Sequence, residues 1–407
     1  MEKKRRSSRN AKPLDGFKIV DLTTVVFGPY ASQLLGDYGA EVIKIEAPGG
    51  DSTRRIGPSA ESGMASLFLG VNKNKKSIGI DLRKEQGRDA LLRIVKGADV
   101  FMHNMRPAKV ERLGLAPSVV RDRYPKLIYA ELLGFSESGP YAGHPAYDDI
   151  IQGLSGLAGL MERHLGEPRY LPTAIADKVA GLFAVQAILA AAFERNKTGR
   201  GCTVTVPMFE AIVSFGLVEH LYGAQFAPPL GKIGYPRALM PWRRPYRASD
   251  DRFVCIMPYS DGNWRALLTA LGDTQTLEDA RFADLESRTQ NIDVLYRILG
   301  GHVATRTSDE WLSLCRKLDV PAHRMNRVED LEHDPHLKAV EHFKTLRDER
   351  MGQLVVPSNP IAFDGRPLGI SVPPRLGADS RSVLSQSGFL PNEIDALVAS
   401  GVIEVAS

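Results

Sequence analysis

The stretch PTAIADKVAGLFAVQAILAAAFERNKTGRG, residues 172 to 201, admits few structures. Val179 to Phe193 is almost unbroken apolar sequence, rich in the strong helix formers Ala and Leu. That run is about four turns long, short of the roughly 20 residues a bilayer crossing requires. A helix apolar on all sides is expected to be buried. Asn196 and Gly199 are typical helix stops, and CTVTV, 202 to 206, alternates as a strand does. The spacing therefore predicts a helix that crosses the core, with Asp177 at its N-terminus. An Asp there is a good cap and complements the helix dipole. The same field is expected to keep the carboxylate ionised at neutral pH, and an ionised carboxylate can act as a nucleophile. Ala174, Ala176, Ala180 and Gly181 leave room beside it for a bulky reactant.

The rest of the chain supplies the walls for such a helix. FKIVDLT (17–23) is predicted as a strand, GPY (28–30) opens a helix with Pro29 in its first turn, and EVIKIEAP (41–48) is the next strand. A strand, helix and strand in this order force parallel pairing and a right-handed crossover. SIGIDLR (77–83), a helix from Glu85 to Lys96, and DVFMHN (99–104) repeat the pattern, and LIYAELLGF (127–135) adds a strand. The alternation predicts a doubly wound α/β sheet, which binds ligands at the carboxyl ends of its strands. No GxGxxG follows the first strand, and no P-loop, GxSxG elbow or zinc-protease His pair occurs. The usual dehydrogenase, kinase and hydrolase chemistries lose ground accordingly.

Texture changes after about residue 225. QFAPPLGKIGYPRALMPWRRPYRASDD has no clear period and reads as a crossing segment into a smaller domain. Arg237, Arg243, Arg244 and Arg247 cluster there with Tyr235, Trp242 and Tyr246, either as a structured linker or as a grip on an acidic substrate. A strand at 253–258 and helices around 263–272, 291–304 and 308–318 follow.

Charge and cysteine usage narrow the setting. The 407 residues carry a net charge of +4, and six Lys and Arg fall within the first twelve residues. That run is read as a solvated, disordered terminus, too short for a nucleic-acid site and without the apolar segment of a secretory signal. The three cysteines, Cys202, Cys255 and Cys315, are scattered without metal spacing, which argues for a reducing compartment. With no transmembrane segment apparent, a cytoplasmic protein is expected.

DGFKIVDLTTVVFGPYASQLLGDYGAEVIKIEAPGGDSTR resembles the opening of the class III CoA-transferases, the CaiB/BaiF type that includes formyl-CoA transferase. The likeness continues in NKNKKSIGIDLR, DVFMHNMRPAKVERLGL, GPYAGHPAYDDIIQGLSG, NKTGRGCTVTVPMFEA, HDPHL and PPRLGAD, and so spans nearly the whole chain. The resemblance implies a Rossmann-like, doubly wound large domain built from both chain ends. Its expected bounds are 15–225 and 330–407, with a linker and small α+β domain at 226–329 and a basic tail at 1–14. It implies an interlocked homodimer. It implies that Asp177 is the nucleophile, that Leu82, Arg83, Asn104, Met105, Arg106 and Arg112 contact CoA, and that Tyr147 is an active-site tyrosine. Arg54 and Arg55 are further candidates for CoA phosphates, whereas Lys73, Lys75 and Lys76 read as a solvated turn. The partners implied are an acyl-CoA donor and a carboxylic acid acceptor, with no nucleic acid, no membrane, no metal and no cofactor beyond CoA as substrate.

Some positions depart from the formyl-CoA pattern. Val26 stands where that enzyme has a glutamine, Ala47 where it has an arginine, and its mobile glycine-rich loop has no counterpart. These changes argue against formate and oxalate as substrates. An α-methylacyl-CoA racemase or epimerase of the same fold is the alternative, with a His and an Asp as acid/base pair. Tyr147 occupies the place of that His, with His144 three residues earlier, and a Tyr of pKa about 10 is a poor base at neutral pH. A CoA-binding protein without turnover is a third alternative, against which the retained Asp177 speaks.

Overall fold

In the computed structural model, which describes residues 12–406, the alternation of strands and helices builds a mixed α/β fold around a seven-stranded sheet. Strands β1 (Lys18–Leu22), β2 (Glu41–Glu46), β3 (Lys75–Ile80), β4 (Val100–His103), β5 (Ile128–Leu133) and β6 (Thr203–Pro207) run parallel. The short β7 (Ile403–Glu404) adds antiparallel to β3. Helix α1 (Phe27–Asp37) follows β1, α2 (Glu85–Val95) follows β3 and α3 (Pro107–Arg112) follows β4. Helices α4 (Asp148–Leu154) and α5 (Ile175–Thr198) lie between β5 and β6. The strand order is β7-β3-β2-β1-β4-β5-β6. The winding reverses at β1, which pairs with both β2 and β4, and a crevice opens outside the carboxyl ends of those strands.

The two faces of the sheet differ in chemistry. Val20, Leu22, Ile43, Ile45, Ile78 and Ile80 alternate onto one face and pack against Leu91, Ile94 and Val95 of α2. The C-terminal segment returns to this core through Val383, Leu384, Ile394 and Val402. The opposite face carries Asp21, Lys44, Glu46 and Lys75, all buried, joined by Asp51 and Arg54. Buried charges persist only when paired, and here three carboxylates meet three cations. Lys75 reaches Asp21 at 3.2 Å, Lys44 reaches Asp51 at 3.0 Å, and Arg54 forks onto both oxygens of Glu46 at 2.7 Å. Burial opposes every one of these charges. The partners nonetheless hold Asp21, Glu46 and Asp51 below the ordinary carboxylate range and Lys44 above the ordinary lysine value, whereas burial pulls Lys75 down to about 8.

This network corrects two expectations. Arg54 faces no phosphate: it lies beneath the surface, stacked 3.7 Å over Phe68. Nor are the three lysines a solvated turn. Lys75 belongs to the network, Lys73 is buried with its ammonium donating to the Pro357 carbonyl at 2.9 Å, and only Lys76 pairs at the surface, with Glu41.

Helix α5 also differs from expectation. At 24 residues it exceeds its apolar run and is long and apolar enough, by length and composition alone, to cross a bilayer. It is not buried all round. Ala176, Ala180, Gly181, Ala184 and Ile188 turn inward, and α5 packs against α1 so closely that a Cβ on Gly181 would lie 3.1 Å from the Phe27 carbonyl oxygen. Leu182 and Phe193 are 44% and 65% exposed on another face.

The chain forms two compact units. Among the described residues, one unit holds 12–155, Pro172–Phe215 and 338–406; the other holds Gly156–Leu171 and Gly216–Leu337. The expected boundaries at 225 and 330 therefore move, and residues 156–171 leave the large domain. The reason is local bonding: Arg163 donates to the Ile233 carbonyl at 2.8 Å, and the helix Leu157–Leu165 packs on Pro236–Leu239. The second unit has its own core, in which Trp264, Leu267, Leu295, Leu299 and Trp311 meet a three-stranded antiparallel sheet. Most of the basic tail expected at 1–14 lies outside the described residues. Lys12 to Leu14 are described and are tied down, since the Leu14 N–H donates to Tyr38 at 2.9 Å.

Candidate active site

The crevice at the strand ends is a cleft of about 730 Å³. Each wall is the loop that follows a strand: Thr24 and Val25 after β1, Ala47 and Pro48 after β2, Asp81 to Arg83 after β3, Asn104 to Arg106 after β4, and Gly134 after β5. β3 ends at Ile80, three residues earlier than its sequence pattern suggests, which frees Leu82 and Arg83 for the cleft. Leu82, Arg83, Asn104, Met105, Arg106, Arg112, Tyr147 and Asp177, spread over 96 positions of sequence, all line this one cavity. Gly28 permits the arrangement, because a Cβ there would fall 2.3 Å from the Thr23 side chain.

Asp177 is not the cap of α5. The helix begins at Ile175 with Ala174 before it, so Asp177 sits in the first turn. The capping carboxylate is Asp148, the first residue of α4, whose Oδ1 accepts the Asp177 N–H at 3.0 Å. Gln152 donates to the other Asp148 oxygen at 2.6 Å and fixes its direction. Asp177 is thereby buried and faces a second carboxylate. Burial first, and the Asp148 charge second, push its pKa from 3.8 up to about 7. The helix dipole was expected to keep this group fully ionised; the desolvation of its surroundings outweighs that field.

Other side chains in the cleft are held in distinct ways. The Asn104 amide bonds both backbone groups of Thr24, at 3.0 and 2.9 Å, and so ties the loop after β4 to the loop after β1. Arg83 is 82% exposed and forks onto Asp81, whose carboxyl it holds at about 2. Arg106, Lys109 and Arg112 recur every third residue, Arg106 just before α3 and the other two on it. Among the described residues none of the three has an acidic partner, and together they also line a neighbouring recess of about 390 Å³. Tyr147 is 67% exposed.

Sequence reasoning missed three contributors. Lys109 was legible in the spacing of the basic residues on α3. Asp148 had no local signal, since its role comes from a contact 29 residues away. Val25 stands at φ +70° on the cleft wall, a conformation nothing in its residue type suggests. Of two histidines near these loops, His144 lines the cleft, whereas His103 is buried against Tyr129 at 2.9 Å and burial lowers its pKa to about 4.

A parallel sheet whose strand ends surround a buried carboxylate and a row of unpaired cations is the layout of an α/β enzyme for an anionic substrate. The chain matches the model of CoA-transferase family III over residues 14–380 and belongs to that family, the class III CoA-transferases. It is 36% identical over 322 residues to a probable fatty acyl-CoA transferase, Rv3272, of Mycobacterium tuberculosis, covering 76% of this chain and 81% of the relative. It is 33% identical to the acetyl-CoA:oxalate CoA-transferase of Acetobacter aceti, covering 87% and 90%. The crystal structure of a CaiB/BaiF family protein from Brucella suis superposes with a TM-score of 0.77 at 30% identity, covering 93% of this chain and 100% of that one.

Proposed function

We propose that this enzyme moves CoA from an acyl-CoA thioester to a carboxylic acid through covalent intermediates on Asp177. The observation that carries the proposal is the burial of that carboxylate on the wall of a cleft ringed by strand-end loops and cations. A poorly solvated carboxylate with pKa near 7 is more basic than an ordinary Asp yet still ionised in good part at neutral pH.

Asp177 attacks the donor carbonyl, the C–S bond breaks, and the CoA thiolate leaves a mixed anhydride. The thiolate then attacks the aspartyl carbonyl and expels the donor acid as its carboxylate, leaving an aspartyl-CoA thioester. The acceptor carboxylate attacks that thioester, and the released thiolate attacks the acceptor carbonyl. A new acyl-CoA departs and Asp177 is regenerated. Every step is an acyl exchange, so the mechanism calls for no cofactor beyond CoA. Arg106, Lys109, Arg112 and Arg83 supply positive charge for CoA phosphates, and Leu82, Met105, Asn104 and Tyr147 line the path of its thiol arm.

Hydroxylamine tests the mechanism, because the anhydride and the aspartyl thioester are both electrophiles. Activity should be lost only when acyl-CoA and hydroxylamine are present together, and peptide mass spectrometry should find a hydroxamate at Asp177. Full activity after that treatment, with no mass shift on the peptide, rejects the covalent route. The racemase alternative gains support from His144, which lines the same cleft. Isotope exchange at the carbon next to the thioester would favour it, and absence of exchange would favour transfer.

The sheet order, with its reversal at β1, supports a Rossmann-like reading of the large unit. An obligate, interlocked homodimer is the assembly we propose. Leu182 and Phe193 are exposed along α5 with the half-buried Leu189 between them, and exposed apolar side chains grouped in this way mark subunit contacts. Sedimentation should give a dimer at every dilution that retains folded protein, since threaded subunits separate only by unfolding. A folded monomer would remove the interlocked arrangement. Free Cys202, Cys255 and Cys315 support a cytoplasmic setting.

A further inference from the structure

The cleft wall beside β1 is clamped from beneath by a buried aspartate. Val25 lines the cleft at φ +70°, in the left-handed region that a β-branched residue rarely adopts. Its N–H lies 3.3 Å from Oδ2 of Asp51 and 3.5 Å from Oδ1. Asp51 does not line the cleft; its side chain is fully buried and paired with Lys44 at 3.0 Å. Lys44 in turn donates to the Thr23 carbonyl at 2.9 Å. Three consecutive residues, Thr23, Thr24 and Val25, thus have backbone groups fixed by Lys44 of β2, by Asn104 after β4, and by Asp51 in the loop after β2.

A strained turn persists only where its surroundings over-determine it, and such turns concentrate at reactive sites. This one leads directly into α1, which packs on the helix bearing Asp177, and it shares a cleft with that residue. Stability alone does not require the arrangement, because a buried ion pair is often replaceable by an apolar pair of similar volume. The carboxylate adds something an apolar pair lacks, an acceptor for the Val25 N–H.

We propose that Asp51 is a positioning residue for acyl transfer: with Lys44 as its counterion it sets the Thr23–Val25 turn against which the reacting thioester lies. The proposal rests on the reading of Asp177 as nucleophile. Asp51 itself touches no substrate.

The test uses the full chain with Asp51→Leu and Lys44→Met combined, which removes both charges and leaves neither orphaned. Turnover should fall about 100-fold with KM for the donor changed by less than about threefold, the mark of misplacement and not of lost binding. Adding Val25→Gly, which takes positive φ freely, should recover about tenfold. Turnover within about threefold of the parent in the folded double variant, or no recovery on adding the glycine, overturns the proposal. If the double variant does not fold, Asp51→Asn with and without Val25→Gly carries the same two outcomes. Hydrogen exchange gives a readout free of chemistry. It should quicken in the peptide spanning 23–27 and stay unchanged in the strand Phe253–Ile256; unchanged exchange at 23–27 also overturns the clamp. A parent enzyme that transfers no CoA would sink the Asp177 reading alone, and the exchange result would still decide on Asp51.

Discussion

Asp177→Asn should abolish transfer, lowering turnover by at least about 10⁴-fold, and should also make the protein more stable above pH 7. The first effect follows from losing the nucleophile. The second follows from its pKa of about 7 in the folded protein against 3.8 in an ordinary environment. Below about pH 4 both folded and unfolded chains hold the proton, and the group adds no pH dependence. As pH rises from 4 to 7 the unfolded chain releases its proton while the folded one keeps it, so native stability declines. Above 7 the whole penalty is present, on the order of 2–4 kcal/mol at 1.36 kcal/mol per pKa unit. Asn matches Asp in shape and carries no charge, so the variant escapes the penalty. Thermal melts of the two proteins should coincide near pH 4 and diverge toward pH 8, the variant melting higher. A gap that stays constant with pH would show that burial does not raise this pKa, and turnover within tenfold of the parent would remove Asp177 from the chemistry. In the parent enzyme, kcat/KM should rise with pH through a midpoint near 7, because only the ionised form attacks.

Arg54→Met should destabilise the protein by about 3–5 kcal/mol without touching the cleft. Arg54 forks onto Glu46 at 2.7 Å and also donates to the carbonyls of Gly63 and Pro374, both at 3.1 Å. Its removal leaves Glu46 buried with the Ser77 hydroxyl and the Asp51 N–H but no cation in direct contact. Glu46 is now held below the ordinary carboxylate range against the pull of burial. In the variant burial prevails, and the loss of stability should deepen as pH rises and the unfolded chain ionises. Adding Glu46→Gln should recover part of the loss, because the orphaned charge is gone. Denaturant titration of the single and double variants measures both effects. A loss below about 1 kcal/mol would place the pair among surface ion pairs of little value. Arg83→Met is the natural contrast. Arg83 makes the same two-pronged contact with Asp81, but at the surface, and its loss should leave the melting temperature little changed while weakening CoA binding.

The contrast between Arg54 and Arg83 shows where sequence reasoning stops. Both are arginines following a strand, both were candidates for phosphate, and each has its acidic partner nearby in sequence, Glu46 for Arg54 and Asp81 for Arg83. The fold buries one beneath Phe68 and leaves the other in solvent. Asp177 presents the same difficulty. Its place at the start of a long apolar helix was legible, and so was its candidacy as a nucleophile. Its proton affinity was not, because burial and Asp148 act on it from elements that only tertiary structure brings near.

The alternation of strand and helix and the parallel sheet were legible in the chain, and its likeness to the family pointed to eight scattered residues, which the fold gathers into the lining of one cleft. Those are properties of local period, of strand ends, and of motifs that recur in order across the chain. Contacts in space settle which charges are solvated, hold Val25 in a left-handed turn, join residues 156–171 to the second unit, and leave Leu182 and Phe193 of α5 exposed. The reason is physical. Periodicity is a sum over neighbours along the chain, whereas dielectric environment, ion pairing and strain are sums over neighbours in space, whatever their separation in sequence.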